Sequence, residues 1–246
     1  MVRPGIGTEL EGIHAVAAAV AAGRVTRIVV EESRAGRPEI AAIVDSAAAA
    51  GVVVEFVDDV REQARTHAPQ GIVATADPIE TLSLKDAVAR SDPAALLIVD
   101  HIQDARNIGA AARSALAAGM TGLVVATRRS APIGAAAFKA AAGALEHLPI
   151  VEVSSIAEAV RALGKLGVWT VGLDMEGEAS LFGLEILQQP VAVVVGTEGE
   201  GLSHLVSERC DVVAHIPMAP LSESLNASVA AALACFEVAR MRASVT

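Results

Sequence analysis

Apolar residues fall into short unbroken runs separated by alanine-rich stretches of helical period, and that alternation organises the chain. A helix is expected from Gly12 to Ala22, followed by a β-branched strand over Arg27–Glu31. A second helix from Pro38 to Ala50 stops at Gly51. Val52–Val57 and Gly71–Thr75 read as further strands around a short helix, which makes a small α/β unit of residues 1–76. Residues 77–93 lose the apolar period, contain proline and read as a linker with one or two helical turns.

Residues 94–246 repeat the alternation on a larger scale. Strands are expected at Ala95–Val99, Gly122–Ala126, Ile150–Val153, Val168–Leu173, Val191–Val195 and Ala214–Pro217. Helices are expected at Ile108–Ala118, Ala135–Gly143, Ile156–Leu166 and Asn226–Arg242. The strands are apolar at consecutive rather than alternate positions. That pattern implies an α/β fold whose parallel sheet is covered by helices on both faces.

Composition narrows the function. Of 246 residues 53% are hydrophobic but 2% aromatic (Phe 4, Trp 1, Tyr 0), which counts against single-strand recognition on aromatic platforms. Trp169 is expected in the core. The net charge of −10 excludes the overall basic field of a non-specific nucleic-acid binder, so any basic site must be local. Cys210 and Cys235 lack CxxC spacing and the six histidines are dispersed, which argues against zinc and disulfides and suits a reducing cytosol. The longest uncharged stretch, Ser114–Thr127, is shorter than the ~18–20 residues a bilayer span needs. The first ten residues lack a signal-peptide core. A soluble cytoplasmic protein without a metal is expected.

Three turns sit where strands end, the place where ligands bind in open α/β sheets. The first is Asp100–Gly109, with Asn107 as the expected N-cap and Gly109 allowing close backbone approach. Arg106 and Arg113 in this segment are about 700° apart along a helix and so share a face, either solvated or anion-binding. The second is Gly196-Thr-Glu198-Gly199-Glu200-Gly201. Its GxxGxG spacing is not the GxGxxG of a dinucleotide loop, and its acids repel a pyrophosphate, so a nicotinamide-dependent Rossmann enzyme fails here. Acidic side chains beside glycines suit ribose hydroxyls, an amine or a sulfonium; a tight turn with positive φ is the structural alternative. The third is Ile216-Pro-Met218 with Ser224-Leu-Asn226-Ala-Ser228, which alone reads as helix capping.

Taken together, Asp104–Arg113, Val194–Leu202, and Ile216–Met218 with Ser224–Ala230 resemble, in order and spacing, the three motifs of the SpoU-type RNA ribose methyltransferases of the SPOUT superfamily. The resemblance covers residues 95–246. Gly12–Val16 and Gln70–Ala74 resemble the substrate-binding domain of longer members, a fold similar to RNA-binding ribosomal proteins, although Ala68-Pro69 interrupts the usual histidine-glutamine pair. The resemblance implies a C-terminal trefoil knot, a homodimer, no metal, and S-adenosylmethionine held at Thr127, Gly196, Ile216, Met218 and Leu225. It implies that Arg113, Asn107, Glu198, Ser224 and Asn226 serve catalysis, with Arg113 on phosphate. Arg106, Arg128, Arg129 and Arg240 are the expected RNA contacts. The implied activity is transfer of a methyl group to a ribose 2′-hydroxyl, first of a guanosine in 23S rRNA. A tRNA ribose or an antibiotic-resistance site in rRNA is the nearest alternative. The rival of another class is a non-catalytic RNA-binding protein of the same fold, against which Asn107, Arg113, Glu198 and Asn226 count.

Overall fold

A computed structural model describes residues 5–199, 201–219 and 224–243. Its elements in chain order begin with β1 (Glu9–Glu11), α1 (Ile13–Ala21), β2 (Val25–Glu31), α2 (Pro38–Ala49), β3 (Val53–Val57), β4 (Ile72–Ala76) and α3 (Leu84–Ala89). They continue with β5 (Ala95–Val99), α4 (Ala105–Ala117), β6 (Gly122–Ala126), α5 (Ala135–Ala141), β7 (Ile150–Val153), α6 (Ile156–Lys165) and β8 (Trp169–Leu173). The last are β9 (Ala179–Ser180), β10 (Val191–Val195), α7 (His204–Arg209), β11 (Val212–His215) and α8 (Ala227–Ala243).

The first sheet has strand order β1-β4-β2-β3 and is mixed: β2 and β3 run parallel through α2, while β4 is antiparallel to both β1 and β2. Its helices bury small apolar stripes, Ala15, Val16 and Ala19 on α1 and Ile40, Ile43 and Ala47 on α2, which is helical spacing.

The second sheet has order β7-β6-β5-β10-β8-β11-β9, and every pairing is parallel. β5, β6 and β10 are buried at all positions because side chains leave both faces into apolar layers. Leu97, Val99, Val193 and Val195 join the layer containing α4 and α8, while Leu96, Ile98, Ala192 and Val194 join the layer under α6 and α7.

Two expectations change. Residues 77–93 are not a free tether: Asp77 and Ile79 donate backbone hydrogen bonds to Arg24 and Ile6, Leu82 donates to Ile150, and Ala87 of α3 is fully buried. Apolar contacts too sparse to show a period still pack once the sheet edge lies beside them. Trp169 is 47% exposed, at the outer start of β8 rather than in the core. The first layer of the core also runs without a break from Leu10, Val16 and Ile72 to Phe138, Ala141 and Ala144, so the two sheets share one apolar interior.

A buried ion pair closes that junction. Arg24, directly before β2, donates from Nε and Nη2 to Glu146 at 2.8 and 2.6 Å, and the Glu146 side chain is 1% exposed. Arg24 also donates to the carbonyl of Asp77. Lys139 of α5 donates to the carbonyl of Ala68, adding a second polar tie between the halves. No helix among the described residues is long and apolar enough to cross a membrane. Replacing Arg24 by methionine strands the Glu146 carboxylate in the interior. Urea unfolding of that variant is expected to show a loss of about 3 kcal/mol; an unchanged midpoint would mean that the junction does not depend on the pair.

Candidate functional site

The carboxyl ends of β5, β8, β10 and β11 point to one side, and the loops that follow them build two adjoining cavities. The loop after β10 turns sharply. Gly199 and Gly201 have φ of 88° and 66°, and Thr197 and Gly201 exchange backbone hydrogen bonds of 2.9 and 3.2 Å. At Gly196 a Cβ would lie 1.9 Å from the Gly201 carbonyl oxygen, so only glycine lets the two backbone segments cross. The positive-φ turn and the ligand loop are therefore the same feature. Glu200 lies outside the described residues.

The first cavity, about 290 Å³, is lined by Gly196 and Thr197, by Ile216 and Met218 after β11, by Ser224 and Leu225 before α8, and by Asp174 and Glu176 after β8. Four of the five residues expected to hold a cofactor thus share one cavity. Thr127 does not line it; its amide donates to Val153 at the end of the neighbouring strand. Met218 is half-buried in the cavity wall. Asp174 and Glu176 had no motif to mark them. Their signal is their place directly after a buried strand.

Three distant segments meet on one carboxylate. Glu198 Oε1 accepts from Asn107 Nδ2 at 2.9 Å, from the Ala227 amide at 3.2 Å, and from Asn226 Nδ2. Asn226 Nδ2 also donates to Asn107 Oδ1 at 3.1 Å, while its own Oδ1 accepts from the Ser228 amide and hydroxyl. A carboxylate facing the N-terminus of the long helix α8 is favoured by the exposed amides there. These side chains line a second cavity of about 500 Å³ together with Gln103 and Arg106, and Thr197 and Ala227 belong to both cavities.

The N-cap of α4 is Asp104, not Asn107. Asp104 accepts from the Arg106 amide at 2.8 Å and starts the helix three residues early. Asn107 is thereby freed to reach Glu198. The close approach at Gly109 is to a helix rather than to a ligand, since a Cβ there would meet the Ala137 carbonyl oxygen of α5 at 2.1 Å.

The arginines divide. Arg106 borders the second cavity and pairs with Asp104 at 2.7 Å. Arg128 and Arg129 are exposed after β6, and Gln103 Nε2 bridges their loop to the first, donating to the carbonyls of Arg129 and His101 at 2.7 and 2.9 Å. Arg113 is exposed on α4, makes no hydrogen bond or ion pair among the described residues and lines neither cavity, so the protomer does not bring it to Glu198. Arg240 is fourteen residues beyond Asn226, ~21 Å along α8, and pairs with Glu237 at 2.6 Å. It is therefore not part of the cluster at the cavities.

Other nucleophiles are quiet. Burial pushes the thiols of Cys210 and Cys235 up to about 12, and both cysteines are free. No group of three His, Cys, Asp or Glu side chains among the described residues is arranged to hold a metal.

An open parallel α/β sheet with a glycine-crossed loop and a polar hub at its carboxyl edge defines a ligand-binding enzyme-type site. Comparison with known proteins is specific. The model of the SpoU rRNA Methylase family matches residues 94–236, and that of RNA 2′-O ribose methyltransferase substrate binding matches residues 10–82. The chain belongs to the SpoU rRNA methylase family. It is similar to the 23S rRNA (guanosine-2′-O-)-methyltransferase RlmB of Xylella fastidiosa, 44% identical over 68% of this chain and 67% of that one. It is also similar to an uncharacterised tRNA/rRNA methyltransferase of Synechocystis, 38% identical over 95% of this chain, where the match spans 62% of that protein's length. Among solved structures, the SpoU methyltransferase AviRb of Streptomyces viridochromogenes in complex with AdoMet matches with a TM-score of 0.78 and 26% identity, over 96% of this chain and 90% of that one.

Arg240 has a structural consequence that can be measured. Its guanidinium holds the Glu237 carboxyl below the ordinary glutamate range, against the upward push of desolvation; the Gly183 amide helps. Because the folded-state value is lowered, the stabilisation is present above the unfolded glutamate range near ~4.3 and fades as pH falls through the folded value. Arg240→Ala is expected to lower the urea midpoint at pH 7, and the gap from wild type to close in acid. A gap independent of pH would show that the pair contributes nothing.

Proposed function

We propose that the protein transfers a methyl group from S-adenosylmethionine to a ribose 2′-hydroxyl of RNA, with a guanosine of 23S ribosomal RNA in the cytoplasm as its target. The observation that carries this reading is the convergence of Asn107, Glu198 and Asn226 at the shared lip of two cavities. One cavity suits the cofactor and the other a substrate ribose. The relatives named for guanosine 2′-O-methylation and the structure holding AdoMet support the chemistry.

The residues fit the cofactor. Gly196 and Thr197 supply backbone wall, Ile216, Met218 and Leu225 supply apolar surface, and no lysine or arginine is among the described lining residues. Bound there, the cofactor supplies an electrophilic methyl. Asn107 and Asn226, ordered by Glu198, and Ser224 in the cavity wall orient the ribose hydroxyl toward it, so that positioning provides much of the rate gain. Arg106, Arg128 and Arg129 lie on the same loop edge and meet phosphates. The readings of Thr127 as a cofactor contact and of Arg240 as an RNA contact remain part of this proposal, each at the edge of the site rather than in the cluster.

We assign residues 1–76 to an RNA-binding unit and 94–246 to the catalytic unit. We read the C-terminal segment as a trefoil knot, supported by the crossing of Gly196 and Gly201 and by Arg242, which ties the end of α8 to the carbonyls of Pro93, Ala94, Leu187 and Gln189. We read the functional form as a homodimer. Val229, Leu233 and Phe236 form an exposed apolar stripe on α8, and α4, which carries the solvent-facing Arg113, packs against that helix. A second copy seated on the stripe gives Arg113 a site to complete.

Calorimetry should show S-adenosylmethionine binding and no response to NAD. Arg113→Ala should cut methyl transfer to RNA about 100-fold or more while leaving the cofactor Kd nearly unchanged. Silence toward S-adenosylmethionine would remove the cofactor assignment, and equal loss of binding and transfer would make Arg113 a structural residue.

A further inference from the structure

The first cavity has an uneven charge. Its lining carries two acidic side chains, Asp174 and Glu176, and among the described residues no basic one. Asp174 is fixed rather than loose. It directly follows the last residue of β8, its Oδ1 accepts from the Glu176 amide at 3.0 Å, and its Oδ2 faces the Leu202 amide at 3.5 Å. A Cβ at Gly201 would lie 2.6 Å from Asp174 Oδ2, so a glycine with φ of 66° is what lets the ligand loop rest against this carboxylate. Glu176 stands exposed at the rim.

Such a lining discriminates by charge. S-adenosylmethionine carries a sulfonium that its demethylated product, a thioether, lacks; the two are otherwise alike in adenine, ribose and amino-acid groups. A fixed carboxylate in a partly desolvated cavity attracts the cation and does little for the neutral sulfur. We propose that Asp174, assisted by Glu176, is a specificity-determining residue that makes the cavity prefer the sulfonium cofactor over the thioether product. It thereby favours product release after each transfer. The proposal rests on the cofactor assignment above and adds to it the residue that senses whether the methyl group is present.

The alternative role for a carboxylate here is to accept hydrogen bonds from ribose hydroxyls, and the two roles separate cleanly because both ligands have the ribose. Titration of the full-length protein with S-adenosylmethionine and with S-adenosylhomocysteine gives two dissociation constants and their ratio. Asp174→Asn is expected to weaken S-adenosylmethionine selectively, shifting the ratio about tenfold toward the product. Glu176→Gln, at the rim, shifts it in the same direction by less. In wild type the preference for the cation should shrink as ionic strength rises, a test that needs no folded variant. Equal weakening of both ligands, or a wild-type ratio indifferent to salt, overturns the proposal. Failure of wild type to bind either ligand strikes instead at the cofactor assignment.

Discussion

One carboxylate oxygen, Oε1 of Glu198, holds the site together. It accepts from a side chain on α4, a side chain ahead of α8 and the first amide of α8, so that residues 91 positions before Glu198 and 28 and 29 after it meet on one atom. Of these donors only Asn226 Nδ2 has a second acceptor in the cluster, Asn107 Oδ1 at 3.1 Å. Without Glu198, Asn107 and Asn226 would turn to water, and the lip between the two cavities would lose its geometry. The strand-end loop that carries Glu198 can reach α8 because Gly196 and Gly201 let backbone cross backbone. The chemistry of the site thus rests on a hydrogen-bond acceptor placed by two missing side chains.

Beneath the site, the parallel sheet supplies rigidity. Strands buried on both faces leave little room for movement, and loops at their carboxyl ends inherit that fixity. The first sheet is part of the same body, joined through a continuous apolar layer and the Arg24–Glu146 pair. Under the proposed function, a first unit fixed in this way would present its surface at a set distance from the lip between the cavities, so that the geometry of the RNA would contribute to selection. The acidic overall charge is compatible with this because the exposed Arg128 and Arg129, tied in by Gln103, lie on the loop edge near Arg106.

Much of the fold was legible because its signal is local. Ala95–Val99, Gly122–Ala126, Ile150–Val153 and Val191–Val195 are apolar runs bounded by polar residues or turns, and the structure has strands over these same residues. β1 and β9 were not legible: three and two residues of mixed polarity carry no period, and pairing alone makes them strands. The start of α4 was misplaced because either Asp104 or Asn107 can cap a helix, and the earlier one won. Within the site, Asn107, Glu198 and Asn226 from the three motifs converge, whereas Arg113 of the first motif lines neither cavity, Thr127 does not line the first cavity, and Arg240 lies far along α8. Trp169 looked like core by type, yet it begins an interior strand at its solvent end. Asp174 was invisible for the opposite reason: nothing around it in sequence marks it, and only the strand order brings it beside the glycine loop.

The most direct measurement is a map of ribose methylation across total RNA from cells with and without the gene. Loss of one 2′-O-methylguanosine from the large-subunit ribosomal RNA, restored by the intact gene, is the predicted result. An unchanged ribose map, or loss of a methyl group carried on a base, would contradict the account.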